Sequence, residues 1–252
     1  MKLPSQILFP AIYSASLITS GLSLQAQTWD AASGSIWSSG DWSTAANWDP
    51  DGVPLNDGTA DLIFDLSSNG NTGSFVTGLG PDSLSINSLT FLGTNAGNYS
   101  VTLAAGTTTG SAEASTTVTL NLGAGGIDLQ GAKLSGAGDI FYLGSVANGN
   151  RVHLNLTENQ TWDIQKAANG ETNNHGTLRL AGDLSGAGNL TKTGNGLLRI
   201  ESGSSDDYTG TVTLDGGLIQ LYPGQLDRLG PNALQWHNTT RYYTHFVCRR
   251  GS

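Results

Sequence analysis

The sequence predicts an all-β fold, a right-handed parallel β-helix (β-solenoid) with a Trp-rich N-terminal cap, and three observations lead there. Short runs that alternate polar and apolar residues recur along the chain, while helical periodicity is nowhere sustained. Glycine (35 residues) far outnumbers proline (7) and only 12% of residues are charged, the texture of a turn-rich all-β chain. The phrase Leu134-Ser135-Gly136-Ala137-Gly138-Asp139 returns as Leu184-Ser185-Gly186-Ala187-Gly188-Asn189, with similar lead-ins at Leu129 and Leu180. A repeated strand–turn phrase is the signature of stacked coils. An antiparallel β-sandwich is the alternative, because period-two alternation serves both. Irregular strand spacing and inward Leu, Ile and Val favour stacked rungs.

Residues 1–26 read as a signal peptide. Lys2 supplies the positive start, Ile7 to Leu24 is uncharged and largely apolar, and Ala26 offers a small residue for cleavage. Pro10 and scattered Ser and Thr argue against a retained membrane helix, and no later apolar run is long enough to span a bilayer. No membrane insertion within this chain is expected. After cleavage the product would be secreted or held at the cell surface, associated with the outer membrane. A single cysteine, Cys248, makes no internal disulfide, so stability must come from backbone ladders and stacking.

Residues 27–66 form an entry segment holding Trp29, Trp37, Trp42 and Trp48, four of the six tryptophans. Two readings compete. An open solenoid end exposes core and strand edge and needs a plug, which large aromatic side chains would supply. Alternatively Trp37, Trp42 and Trp48 form a glycan-contact platform that stacks on sugar faces. The plug is favoured. Ala60 to Asp65 then reads as a short strand.

Residues 67–234 are expected to be the solenoid. Ser83 to Phe91 alternates, as do Tyr99 to Leu103, Thr117 to Leu122, Val152 to Leu156, Thr177 to Leu180, Leu197 to Ile200, Thr211 to Leu214 and Leu218 to Leu221. Gly125-Gly126 and Gly216-Gly217 would supply corners between them. Repeats of roughly 20 to 25 residues would give about seven or eight coils. At about 4.8 Å per coil the rod would be roughly 35 to 40 Å long.

Charge and chemistry narrow the function classes. The formal net charge is −9, and no Lys or Arg falls between Lys2 and Lys133. Such a chain repels phosphate backbones, so no nucleic-acid partner is expected. His153 and His175 have no Ser or Cys partner at a recognisable spacing. Glu201 with Asp206-Asp207 is the one carboxylate grouping that invites a glycosidase reading, and Asp206-Asp207 sits in a turn-like stretch. Gly123 to Gly126 lacks the Lys-Ser/Thr ending of a phosphate loop. No catalytic, cofactor or metal site is expected, and no enzymatic activity.

Residues 178 to 234 carry a further pattern: Leu184 to Asn189, then Leu190-Thr191-Lys192-Thr193-Gly194-Asn195-Gly196-Leu197-Leu198-Arg199-Ile200, then Asp207-Tyr208-Thr209-Gly210 leading to Leu218-Ile219-Gln220-Leu221. Asn159 to Ile164 resembles the strand that often precedes it. The pattern closely resembles the autotransporter-associated β-strand repeat of passenger domains in bacterial exported proteins. That resemblance implies a non-enzymatic β-helical passenger segment for surface display or adhesion, contacting a surface polysaccharide or a host or matrix surface. On this pattern Gly186 and Gly188 make tight corners, and Leu190, Leu198 and Ile200 fill the core. Tyr208-Thr209-Gly210 is a turn with an aromatic lid, and Lys192 an outward, solvated charge. The repeat specifies a rod more than a function. A carbohydrate-binding module built on the N-terminal Trp residues and a polysaccharide-degrading β-helix enzyme are the alternatives.

Residues 235–252 depart from this texture. They hold His237, His245, Cys248 and three of the eleven basic residues. A metal or cationic docking tail is one reading, but three potential ligands without a fourth at metal-site spacing make a poor metal site. An out-of-frame or truncated end is favoured. A last coil left open would promote self-association.

Overall fold

The computed structural model describes residues 26–30, 40–65, 74–80, 83–92, 100–105, 117–130, 140–144, 151–165, 176–201, 207–221 and 234–236. Among them are eighteen strands, one turn of 3-10 helix at Ala45–Asn47, and no α-helix. The strands are β1 (Gln27–Trp29), β2 (Gly40–Asp41), β3 (Trp48–Asp49), β4 (Asp61–Asp65), β5 (Ser74–Gly78), β6 (Leu84–Leu92), β7 (Ser100–Ala104), β8 (Thr117–Leu129) and β9 (Ile140–Leu143). They continue as β10 (Arg151–Leu156), β11 (Gln160–Ile164), β12 (Thr177–Leu180), β13 (Leu184–Gly186), β14 (Leu190–Thr193), β15 (Leu197–Ile200), β16 (Val212–Leu214), β17 (Leu218–Leu221) and β18 (Leu234–Trp236).

The strands form one eleven-stranded sheet and one seven-stranded sheet. The smaller sheet runs β17-β15-β12-β9-β7-β5-β2, parallel throughout. In the larger sheet only β1 and β3 pair antiparallel; every other described pairing is parallel. The antiparallel sandwich is thereby overturned. Parallel neighbours cannot be joined by tight hairpins and need long returns, which explains why the strand spacing is irregular.

Two long strands, β6 and β8, give the larger sheet a double width. Thr117 to Leu122 of β8 pairs with β10, while Ile127 to Leu129 pairs with β11. Between these halves the register with β6 jumps: Ile86 faces Leu122, but Ser88 faces Gly126. The alternation expected across Ser83 to Phe91 therefore breaks at Asn87-Ser88, and the buried residues are Ile86, Leu89 and Phe91. Gly123 to Gly126, expected as a corner, is instead the middle of β8, with Gly126 at φ +67°.

The register shows how often the chain returns to one line of the sheet. Thr28 faces Ile63, Ile63 faces Thr90, Thr90 faces Asp128, and Asp128 faces Asp163. These returns take 35, 27, 38 and 35 residues by their numbering. Asp163 faces Thr193 after 30 residues, and Thr191, Thr213 and Gln235 follow at intervals of 22. The expected 20 to 25 residues thus hold only for the last two returns. Earlier ones are longer, so fewer levels fit between residues 67 and 234 than the expected seven or eight.

The lead-ins of the duplicated phrase fall in different sheets. Leu129 ends β8 in the larger sheet, whereas Leu180 ends β12 in the smaller one. Leu184 faces Leu154, and Leu134 to Asp139 lies outside the described residues. At the corner after β13, Gly186 adopts φ +94°, and a Cβ on Gly188 would lie 2.0 Å from the Glu158 carbonyl oxygen. Both positions require glycine.

One apolar cluster runs through both sheets. Period-two burial is plain in β4, β10, β15 and β17, whose inward residues are Leu62 and Phe64, Val152, Leu154 and Leu156, Leu198 and Ile200, and Ile219 and Leu221. Each such side chain contributes about 1.5–3 kcal/mol when withdrawn from water. An aromatic column continues into the N-terminal end: Phe141 lies 4.8 Å from Phe91, which stacks on Phe64 at 5.2 Å. Trp29, Trp42 and Trp48 close over Phe64 at 5.9–6.0 Å. Trp48 stands edge-on to Trp29 and Trp42, and its indole N–H donates to the Trp42 carbonyl at 3.0 Å. At the other end β18 continues the ladder to Trp236, two residues past the boundary expected at Leu234, by pairing with β16.

Candidate functional site

With the apolar residues turned inward, the outward positions of successive strands fall into columns. Ser85, Asn121 and Asn155 face one another across β6, β8 and β10; Asn155 donates to Asn121 at 2.8 Å, and Asn121 to Ser85 at 3.1 Å. Such side-chain ladders add hydrogen bonds along the stacking direction.

Beside this column the two halves of the larger sheet meet, and the outer surface dips into a groove of about 580 Å³. Asn159 and Thr161, Asn189 and Thr191, and Thr211 and Thr213 line it as pairs from three consecutive levels, with Ala124 and Gly125 at one end. Thr161 faces Thr191, which faces Thr213. Asn159 Oδ1 accepts the Asn189 N–H at 2.9 Å, and Asn189 Oδ1 accepts the Thr211 N–H at 2.9 Å. The carboxamide oxygens are thus used to hold the levels together. Among the described residues, the amide NH2 groups of Asn159 and Asn189 and the four threonine hydroxyls have no protein partner. No charged side chain lines the groove. Behind it, Gln160 is buried; it donates to the Leu122 carbonyl at 3.1 Å and accepts the Trp162 indole N–H at 2.7 Å.

Lys192 corrects the expectation of a solvated charge. Alternation along β14 puts Lys192 on the same face as Leu190, and it is 0% exposed, between Trp162 and Leu214 in neighbouring strands. Its Nζ donates to the carbonyls of Thr193, Gly194 and Gly216 at 2.7, 3.0 and 3.1 Å. Burial pulls the amine down to about 7, against an upward pull from Asp163. The expected lid, Tyr208, is buried too: its hydroxyl lies 2.9 Å from the Gly188 carbonyl and 3.1 Å from that of Thr211, and burial pushes the phenol up to about 12.

The remaining candidates are distributed rather than gathered. Arg179 donates to Glu201 at 2.6 Å from Nε and to the Tyr142 hydroxyl at 2.9 Å, with its guanidinium 4.8 Å from the Tyr142 ring centre. Arg199 approaches the same Glu201 oxygen at 2.9 Å. Glu201 is therefore an ion-pair hub, its side chain 4% exposed, and Asp207 is exposed. Asp206 and His175 lie outside the described residues. His153 Nδ1 accepts the Asp183 backbone N–H at 3.1 Å and lies 3.1 Å from its carboxylate, which ties two levels together. In Asp128, burial raises the carboxyl against a hydrogen bond from Gln130, and Asp163 raises it further; Oδ1 is buried without a partner.

Of the three glycan-contact candidates, Trp42 and Trp48 are buried, their rings packed against each other, Trp29 and Phe64. Trp48 is wholly enclosed as the end of the aromatic column, and Trp42, almost as buried, borders a cavity of about 200 Å³ with Val53, Leu55 and Leu79. Trp37 lies outside the described residues, as do residues 1–25 and the tail residues His237, His245 and Cys248. Among the described residues no group of three metal-ligating side chains gathers, and no helix is long and apolar enough to cross a membrane. No protein family, curated protein or solved structure matches the chain.

Proposed function

We propose that the chain is a β-solenoid of the autotransporter-associated repeat type, an exported, non-enzymatic passenger segment for surface display or adhesion. The observation that carries this reading is the parallel ladder in which Thr28, Ile63, Thr90, Asp128, Asp163, Thr191, Thr213 and Gln235 stand for eight successive levels. At about 4.8 Å per level this gives a rod roughly 34 Å long. Each level adds core inside and polar columns outside, so the architecture extends surface level by level. Among the described residues, Glu201 is tied to Arg179 and Arg199, and Asp183 to His153, so these carboxylates serve as links within the stack, which supports a display role over a catalytic one.

The reading is tested by expressing the chain with residues 1–26 intact in a Gram-negative host and adding protease to intact cells. Display predicts a product shortened by the leader and cleaved from outside. An unprocessed product confined to the cytoplasm contradicts it.

A further inference from the structure

We propose that the groove between the two halves of the larger sheet binds an uncharged, hydroxyl-rich polysaccharide. This deepens the display reading by naming what the displayed surface holds. The groove offers amide NH2 groups from Asn159 and Asn189 and hydroxyls from Thr161, Thr191, Thr211 and Thr213, none of them bonded within the described protein. Donors and hydroxyls in pairs are what vicinal sugar hydroxyls require. The pairs recur at each level, about 4.8 Å apart, a spacing close to the length of one pyranose ring in an extended glycan. A polymer laid along the rod would therefore meet a polar pair, Asn with Thr twice and then Thr with Thr, at three successive rings.

Charge excludes the main competitors. No cationic side chain lines the groove, and the chain carries a net charge of −9, so phosphate- or carboxylate-bearing polymers are repelled. The lining lacks Leu, Ile, Val, Phe and Trp, so an apolar peptide or a lipid finds no surface to cover. The groove walls are held by Asn159 and Asn189, whose oxygens bind the next level's backbone, so the donors are fixed before any ligand arrives.

The test uses the purified chain and measures binding of cellohexaose, laminarihexaose and chitohexaose by calorimetry, with an oligogalacturonate as the acidic comparison. The partner variant is Thr161→Val, Thr191→Val and Thr213→Val together. It removes three hydroxyls but keeps β-branched side chains that suit a strand; an unchanged thermal melt verifies the fold. Binding of at least one neutral hexaose at millimolar or lower concentration, weakened tenfold or more in the triple variant, is expected. Equal binding by the triple variant overturns the proposal, as does no neutral hexaose bound at millimolar concentration or preference for the oligogalacturonate. If the triple variant melts early, Asn189→Asp supplies the second readout: it keeps the carboxamide's acceptor oxygen and replaces its NH2 donor with negative charge, and neutral-glycan binding must fall. A failure here leaves export and surface exposure untouched, so the two readings fail separately.

Discussion

Replacing Lys192 by Met tests whether a buried amine controls stability. Met has similar length and lies easily between Trp162 and Leu214, but it cannot donate to the Thr193, Gly194 and Gly216 carbonyls. Losing those donors costs about 1–3 kcal/mol for each carbonyl left dry, while removing a buried charge returns part of that. The pH dependence separates the two contributions. Folded Lys192 has its amine lowered from 10.5 to about 7. Between those values the unfolded chain holds more protons than the folded one, so wild-type stability rises with pH across the window and levels off above it. At 1.36 kcal/mol per unit, the rise from pH 7 to pH 9 is roughly 2 kcal/mol. Lys192→Met has no such proton. Urea unfolding of both proteins at pH 7 and pH 9 should therefore show the variant's deficit growing by roughly 2 kcal/mol. A constant deficit would refute the argument: the three carbonyls would then hold the amine as ammonium across the range.

Three further outcomes follow from single contacts. Tyr208→Phe should cost about 1 kcal/mol at pH 7 through the lost hydroxyl contacts to Gly188 and Thr211. The folded phenol sits at about 12 against an ordinary 10.0, so the wild type loses stability as pH rises through that interval and the variant does not; alkaline melts detect this. Gly188→Ala places a methyl 2.0 Å from the Glu158 carbonyl oxygen and should lower stability by about 1–3 kcal/mol, with a wild-type melt refuting the close approach. Asp128→Asn should raise the melting temperature at pH 7 and lose that advantage at pH 3, because the folded carboxyl is raised by burial and its charged form is the disfavoured one.

Much of this architecture is legible in single strands. Val152 to Leu156 alternates cleanly, and Thr177 to Leu180, Leu197 to Ile200 and Leu218 to Leu221 are strands whose second and fourth residues are apolar and inside, with Leu197 and Leu218 outward. The register is not legible, because returns of 22 to 38 residues leave no fixed period to detect. Lys192 is a different lesson. Its parity with Leu190 places it inward, against the general preference of lysine for water. The groove draws on β11, β14, β16 and the bend of β8, so no local motif marks it. Its trace in the sequence is the recurrence of Asn159-Gln160-Thr161, Asn189-Leu190-Thr191 and Thr211-Val212-Thr213, polar residues two apart around an inward one. The tryptophans read ambiguously because a sugar platform and a core plug use the same side chain; only their burial separates the two.

The stacked register is the claim on which everything else stands, and disulfide trapping measures it directly. In a Cys248→Ser background, Thr161→Cys with Thr191→Cys pairs neighbouring levels, and Thr161→Cys with Thr213→Cys skips one. Neighbouring parallel strands put the first pair about 4.8 Å apart, within reach of a disulfide, and the second about 9.6 Å apart, beyond it. The account predicts rapid intramolecular oxidation of the first pair and none of the second. No bridge in the first pair, or bridging in both alike, would contradict it.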